Sequence, residues 1–196
     1  MAKAMAHRGP DDAGLFEDHQ ASIGLAHVRL SILDLSPMGH QPMISDDGRV
    51  VLVFNGEIYN HAELRRAFEA SGHGVEWNGH SDTETLLRGF EVWGIKETLA
   101  RAVGMFAFAL YDQSKRQLFL ARDRMGEKPL YYGISQGVFL FGSELKALRK
   151  QRKLSLAEAA RIVSVSARTW ARWEKAERPP PGAVELFEIK TRGSAC

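Results

Sequence analysis

The sequence has almost no cysteine. Of its 196 residues only Cys196 carries a thiol, which excludes an internal disulfide framework and suits a reducing, cytoplasmic setting. Long hydrophobic runs are also missing. No apolar stretch approaches the roughly 18 residues of a membrane span, and no signal-peptide pattern opens the chain, so no membrane partner is expected. The seven histidines, at 7, 19, 27, 40, 61, 73 and 80, are scattered without metal-site spacing, and no metal is expected. Internal repeats and low-complexity stretches are absent apart from the break at Pro179-Pro180-Pro181. Excess charge is lacking too, since 26 Lys and Arg against 24 Asp and Glu leave a net +2. That balance hides an asymmetry: residues 1–145 hold 14 basic and 19 acidic side chains, and residues 146–196 hold 12 and 5. The division suggests two modules with those bounds.

What is present is 44% hydrophobic and 26% charged, enough to bury a core. VVLVF at 50–54 reads as an apolar strand ending on Asn55-Gly56. Asn60 is a candidate cap for a helix through HAELRRAFEAS, closed by Gly72. Ser81 and Glu84 make a capping box before TETLLRGFEVW, whose Leu86, Leu87, Phe90 and Trp93 share one face, and Gly94 reads as its stop. VGMFAFALYD, QLFLARD, LYYGI and VFLFGS follow as four strands joined by short turns. From Glu144 onward no strand signal is seen, and the chain reads helical to Val163 and again to about Glu177.

Asn-Gly-Glu after an apolar strand admits two readings. It is a common hairpin turn. It can also present an amide side chain and an unobstructed backbone N–H to a carbonyl oxygen that gains negative charge. The helical pattern that follows disfavours a returning strand. Arg29, in HVRLSILDL, offers a planar fork matched to a carboxylate or to a surface ion pair. Asp82 and Glu57 can meet an ammonium group, and Asp82 alternatively complements a helix dipole.

HRGPDDAG (7–14), HVRLSILDLSPMGHQPM (27–43), FNGEIYN (54–60), HSDTETLL (80–87), GMFAFALYD (104–112), RDRMGEKPLYY (122–132) and FGSELKAL (141–148) occur in order. Together they resemble the glutamine-hydrolysing domain of asparagine synthetase, a class II glutamine amidotransferase of the Ntn-hydrolase type, over about residues 1–149. The resemblance implies an α+β fold, a four-layer αββα sandwich here missing its first strand, followed by a small all-α segment. It implies L-glutamine as ligand. Arg29 would hold the α-carboxylate, with Leu30, Ser31, Ile32 and Leu33 lining the pocket. Asn55 and Gly56 would form the oxyanion hole, and Glu57 and Asp82 would orient the α-amino group.

The same resemblance places the nucleophile, an N-terminal cysteine, some twenty residues upstream of Met1, so hydrolysis by residues 1–196 as they stand is not expected. No counterpart of the ATP-binding synthetase loop follows residue 149. No cofactor is therefore expected in this chain, ATP and Mg belonging to a synthetase half outside it. A sheet without its first strand is expected to be marginal or to self-associate through the gap.

The basic segment 144–192 resembles the helix-turn-helix of phage-repressor-like regulators. Ser155 caps a first helix, Ser164-Val165-Ser166 turns, and a second helix from Ala167 carries Arg168, Arg172 and Lys175. Ten basic and three acidic residues over 146–178 suit DNA phosphates. A DNA-binding regulator with a vestigial glutamine-binding domain is thus the alternative function, and a solubilising basic helix the plainer one.

Overall fold

The computed structural model describes residues 5–31, 36–72, 76–135, 137–151, 153–162, 168, 171, 174–175 and 186–190. Its centre is one antiparallel sheet in the order β3-β4-β5-β6-β9, formed by β3 (Met43–Ile44), β4 (Val50–Ile58), β5 (Gly104–Asp112), β6 (Gln117–Arg122) and β9 (Leu186–Lys190). β4, β5 and β6 are apolar on consecutive residues because both faces of this sheet are covered. Val50, Leu52, Phe54, Ile58, Phe106, Phe108 and Leu110 form one buried cluster with Leu64, Phe68, Leu86, Leu87 and Phe90. Those partners come from α1 (His61–Ala70) and α2 (Asp82–Val92), and Leu99 joins them from α3 (Gly94–Arg101). Phe68 and Trp93 stack there with ring centroids 4.0 Å apart. The intervening residues Val51, Val53, Ala109, Tyr111, Leu118 and Leu120 point the other way, with Ala21 and Leu25.

That second face is covered by the hairpin β1 (Asp12–Asp18)–β2 (Ile23–Arg29), whose Phe16 and Ile23 pack on the cluster. Phe139 and Phe141 do the same from the hairpin β7 (Tyr131–Ser135)–β8 (Val138–Gly142). The Tyr111 hydroxyl donates to Asp18 across the layers at 2.8 Å. Helix α4 (Leu145–Gln151) lies against β8. The order helices, sheet, hairpins, helix is the mixed α+β layering that the sequence implied.

Three expectations need correction. The strand beginning at Val50 does not end at Phe54. Asn55, Gly56 and Glu57 stay in β4, paired with Ala107, Phe106 and Met105. They form no turn, because pairing with β5 carries the strand on. Asn60 begins α1 without a side-chain cap. Its amide instead bridges to the segment before β5, donating to the Arg101 carbonyl and accepting from the Val103 N–H. As expected, α2 stops before Gly94, which takes φ +78° and from which α3 sets off. Finally, a strand does occur beyond Glu144: β9 pairs antiparallel with β6, Leu118 opposite Ile189 and Leu120 opposite Phe187.

In the basic segment, Ser155 caps α5 (Leu156–Ile162) as expected, its hydroxyl accepting from the Glu158 N–H while Glu158 accepts from the Ser155 N–H. The turn at 164–166 and Arg172 lie outside the described residues. Arg168 and Lys175 are helical and exposed, and Glu174 is held by Arg149 through hydrogen bonds of 2.5 and 3.1 Å. Among the described residues no helix is long and apolar enough to cross a membrane.

Candidate active site

The site grows out of one edge of β4. The Asp123 N–H donates to the Phe106 carbonyl at 2.7 Å, and the Phe106 N–H donates to the Asp123 carboxylate at 3.1 Å. Phe106 therefore spends its backbone groups on the β6 side, and Gly56, opposite it, is a non-hydrogen-bonded partner. By the same alternation every even residue of β4 turns its N–H and C=O away from β5. The structure says where most of them go. The Val50 carbonyl accepts from Ser45 at 2.9 Å, and Leu52 faces Met43 of β3. The Phe54 N–H donates to Gln41 Oε1 at 2.6 Å, and the Phe54 carbonyl lies 3.0 Å from His27 Nε2. The Ile58 N–H donates to the Asp82 carboxylate at 2.8 Å. Gly56 remains, and no described residue accepts from its N–H.

Glycine is required at this place. A Cβ on residue 56 would lie 2.3 Å from the Met105 carbonyl oxygen and 2.7 Å from the Phe106 Cα. The close cross-strand approach of a non-hydrogen-bonded pair leaves no room for it. Asn55 beside it is exposed, and Glu57 is half-buried. Both stand on the strand face that looks toward the β1–β2 hairpin, as Val51 and Val53 do.

Asp82 is buried at the first turn of α2, where the preceding Ser81 hydroxyl caps the Glu84 N–H. Burial holds its carboxyl above the usual carboxylate range, and the charge of Glu57 adds to the rise. The Ile58 and Thr83 amides and His61 act in the opposite direction. Two carboxylates that feel each other around one space favour a cation between them.

Arg29, at the end of β2, is half-buried and donates to the Ser36 carbonyl at 3.0 Å. Its guanidinium lies against the turn at 36–39: a Cβ on Gly39 would fall 1.9 Å from Nη2. His27 is on the same face of β2, two residues or about 7 Å back along the strand, and it touches β4 beside Asn55. Of the pocket-lining residues implied by the resemblance, Leu30 is exposed and the Ser31 N–H is bound to Asp11. Ile32 and Leu33 lie outside the described residues. The structure thus gathers Asn55, Gly56, Glu57 and Asp82 at one strand edge, and ties Arg29 to it through His27.

Two participants escaped the sequence reading. Gln41 and His27 cap Phe54, and nothing local in GHQPM or AHVRL shows that their partner is a strand edge. Burial lowers the His27 imidazole to about pKa 4, outweighing the Phe54 contact. The ring is then neutral, Nε2 carries the proton given to the Phe54 carbonyl, and Nδ1 is buried without a partner among the described residues. No group of His, Cys, Asp and Glu fit to hold a metal exists among the described residues.

At this edge a backbone amide that no described residue accepts stands beside the Glu57 and Asp82 carboxylates. A family model described as glutamine amidotransferase domain matches residues 1–181, and the chain belongs to that family. More particularly, it is 42% identical over 148 residues to asparagine synthetase [glutamine-hydrolyzing] 2 of Bacillus subtilis, covering 76% of this chain and 19% of that protein. It is 39% identical over 150 residues to asparagine synthetase [glutamine-hydrolyzing] 3 of the same organism, covering 76% and 24%. The chain spans a third or less of the length of these and similar curated relatives. Among solved structures, the glutamine phosphoribosylpyrophosphate amidotransferase of B. subtilis, complexed with ADP and GMP, superposes with a TM-score of 0.59 at 20% identity. The superposition covers 87% of this chain and 33% of that one. That likeness establishes the shared Ntn-hydrolase-like fold.

Proposed function

We propose that this chain is the glutamine-binding part of an asparagine-synthetase-type amidotransferase, acting in the cytoplasm. The observation that carries the reading is the Gly56 amide on the β4 edge, without an acceptor among the described residues and two residues from the Ile58 amide that the buried Asp82 carboxylate accepts. Arg29 takes the α-carboxylate of L-glutamine as a bidentate ion pair, beside the segment from Leu30 to Leu33. Glu57 and Asp82 take the α-ammonium group. The side-chain amide oxygen of the ligand then meets the Gly56 N–H and the Asn55 amide. The Gly56 N–H is held by β4 before the ligand arrives, so it stabilises the charge that develops on that oxygen when a nucleophile attacks the amide carbon. None of these residues supplies the nucleophile. In a complete enzyme the product of this half is ammonia for asparagine synthesis.

The test is isothermal titration of the 196-residue chain with L-glutamine, with ammonia release assayed in parallel. Saturable binding of L- but not D-glutamine is expected, without turnover. Arg29→Ala is expected to weaken it at least tenfold, about 1.4 kcal/mol. A chain that binds neither enantiomer, or binds both alike, overturns the proposal.

A further inference from the structure

The hydrogen bonds around Gly56 close into a ring. Starting at Phe54, its N–H donates to Gln41 Oε1 at 2.6 Å, and Gln41 Nε2 reaches Thr83 Oγ1 at 3.5 Å. Thr83 adjoins Asp82, whose carboxylate accepts from the Ile58 N–H at 2.8 Å. β4 itself completes the circuit from Ile58 back through Gly56 to Phe54. Outside the ring, His27 holds the Phe54 carbonyl at 3.0 Å. Gln41 is only 6% exposed. In place of a continuing β3, which ends at Ile44 and Met43 after pairing with Val51 and Leu52, two side chains take over the edge at Phe54. A third strand residue there would run on and pair Gly56 as well. Side chains stop after one residue and leave the next amide bare.

We propose that Gln41 and His27 are positioning residues of the glutamine pocket: they clamp both backbone groups of Phe54 so that the Gly56 N–H is presented unpaired to the ligand's amide oxygen. Neither touches the ligand. Gln41 sets the distance between the β4 edge and the start of α2, and so between the Gly56 amide and the Asp82 carboxylate. His27 fixes the peptide plane that precedes Asn55, and couples it to the strand that carries Arg29. The inference rests on the glutamine reading above for its ligand, but the bare amide and its clamp can be examined without one.

Two measurements on the full chain decide it. Amide exchange followed by NMR in the absence of ligand is expected to show the Gly56 N–H exchanging at least ~100-fold faster than those of Phe54 and Ile58, because only theirs are buried and bonded. L-Glutamine is expected to slow Gly56 selectively. Titration with L-glutamine then compares Gln41→Met and His27→Leu with His27→Gln, whose side-chain N–H reaches the position of Nε2. The first two are expected to weaken binding about tenfold, and the third to return to within about threefold of the parent. A Gly56 amide as protected as Phe54 overturns the proposal whatever the variants do. So does a His27→Gln variant no better than His27→Leu, which would make the contact one of packing alone. If the parent chain binds no glutamine while the exchange pattern is as expected, the glutamine reading falls and the clamp stands. If His27→Leu fails to fold, Gln41→Met and the exchange pattern decide.

Discussion

At the scale of single residues, Asp82 carries a conflict that only a ligand resolves. Burial raises its pKa in the folded chain, and Glu57 adds to the rise. The folded state therefore holds the Asp82 proton more tightly than the unfolded state does. With protons bound preferentially to the folded form, stability falls as pH climbs from the ordinary carboxylate value of 3.8 through the raised one. An ammonium group placed against it favours the ionised form, so glutamine affinity rises with pH through the same window. Asp82→Asn keeps an oxygen for the Ile58 N–H and removes the buried charge. At pH 7 this variant is expected to melt at or above the parent temperature, while L-glutamine binding weakens at least about tenfold. Its affinity is also expected to lose the acid dependence of the parent. Calorimetric melting and titration at several pH values check both halves, and undiminished binding would remove Asp82 from the ammonium site.

At the scale of elements, α1 and α2 are joined by one side chain. Arg65 of α1 donates from Nε to Thr85 Oγ1 at 2.8 Å, from Nη1 to the Gly79 carbonyl at 2.9 Å and from Nη2 to the Ser81 carbonyl at 2.9 Å. It also pairs with Glu84 at 3.3 Å, and its guanidinium lies 4.0 Å above the Trp77 ring. Glu84 in turn takes the Asn78 and Gly79 amides, which explains why the expected capping box closes only on the Ser81 side. A lysine keeps the charge but carries its three donors on one nitrogen, which cannot span acceptors met by three separate guanidinium nitrogens, so Arg65→Lys is expected to cost about 2–3 kcal/mol in urea unfolding. Because the fork holds the Ser81 carbonyl just before Asp82, the same variant is expected to weaken glutamine binding. A midpoint equal to the parent's would show that the charge alone suffices. Contacts of this kind mark where sequence reading stops. The runs at 104–112, 117–122, 131–135 and 138–142 were legible as strands because their apolar residues and short turns are local. The helices at 61–70 and 82–92 were legible from their periodicity. The continuation of β4 through Asn55-Gly56-Glu57 was not, since a local turn signal is overruled by β5, which lies far along the chain. Asn55, Gly56, Glu57 and Asp82, singled out by the family motifs, stand together at the β4 edge. The clamp at Phe54 was not legible, because a side chain that caps a distant strand edge leaves no periodic trace.

For the whole molecule, the decisive question is what covers the outer edge of β6. Phe106 and Asp123 form a hydrogen-bonded pair, so by alternation β6 spends the backbone groups of Gln117, Phe119 and Ala121 on β5. Those of Leu118 and Leu120 turn outward. They meet Ile189 and Phe187 of β9. An acidic N-terminal portion and a basic C-terminal portion, which composition alone divides, are thereby joined in one sheet. An apolar edge without such a cover is a template for another chain. Proline at position 189 has no N–H to give to Leu118 and is tolerated poorly inside a paired strand. Ile189→Pro is therefore expected to release β9 while leaving β4 and β5 paired. In sedimentation velocity the variant should associate with rising concentration more strongly than the parent, and bind more of a hydrophobic dye. Equal sedimentation and equal dye binding would mean that pairing with β9 is dispensable for shielding β6. The proposed glutamine pocket offers an independent reading of the same variant. It lies on the opposite edge of the sheet, two strands away across β5, so L-glutamine affinity is expected to change far less than self-association does.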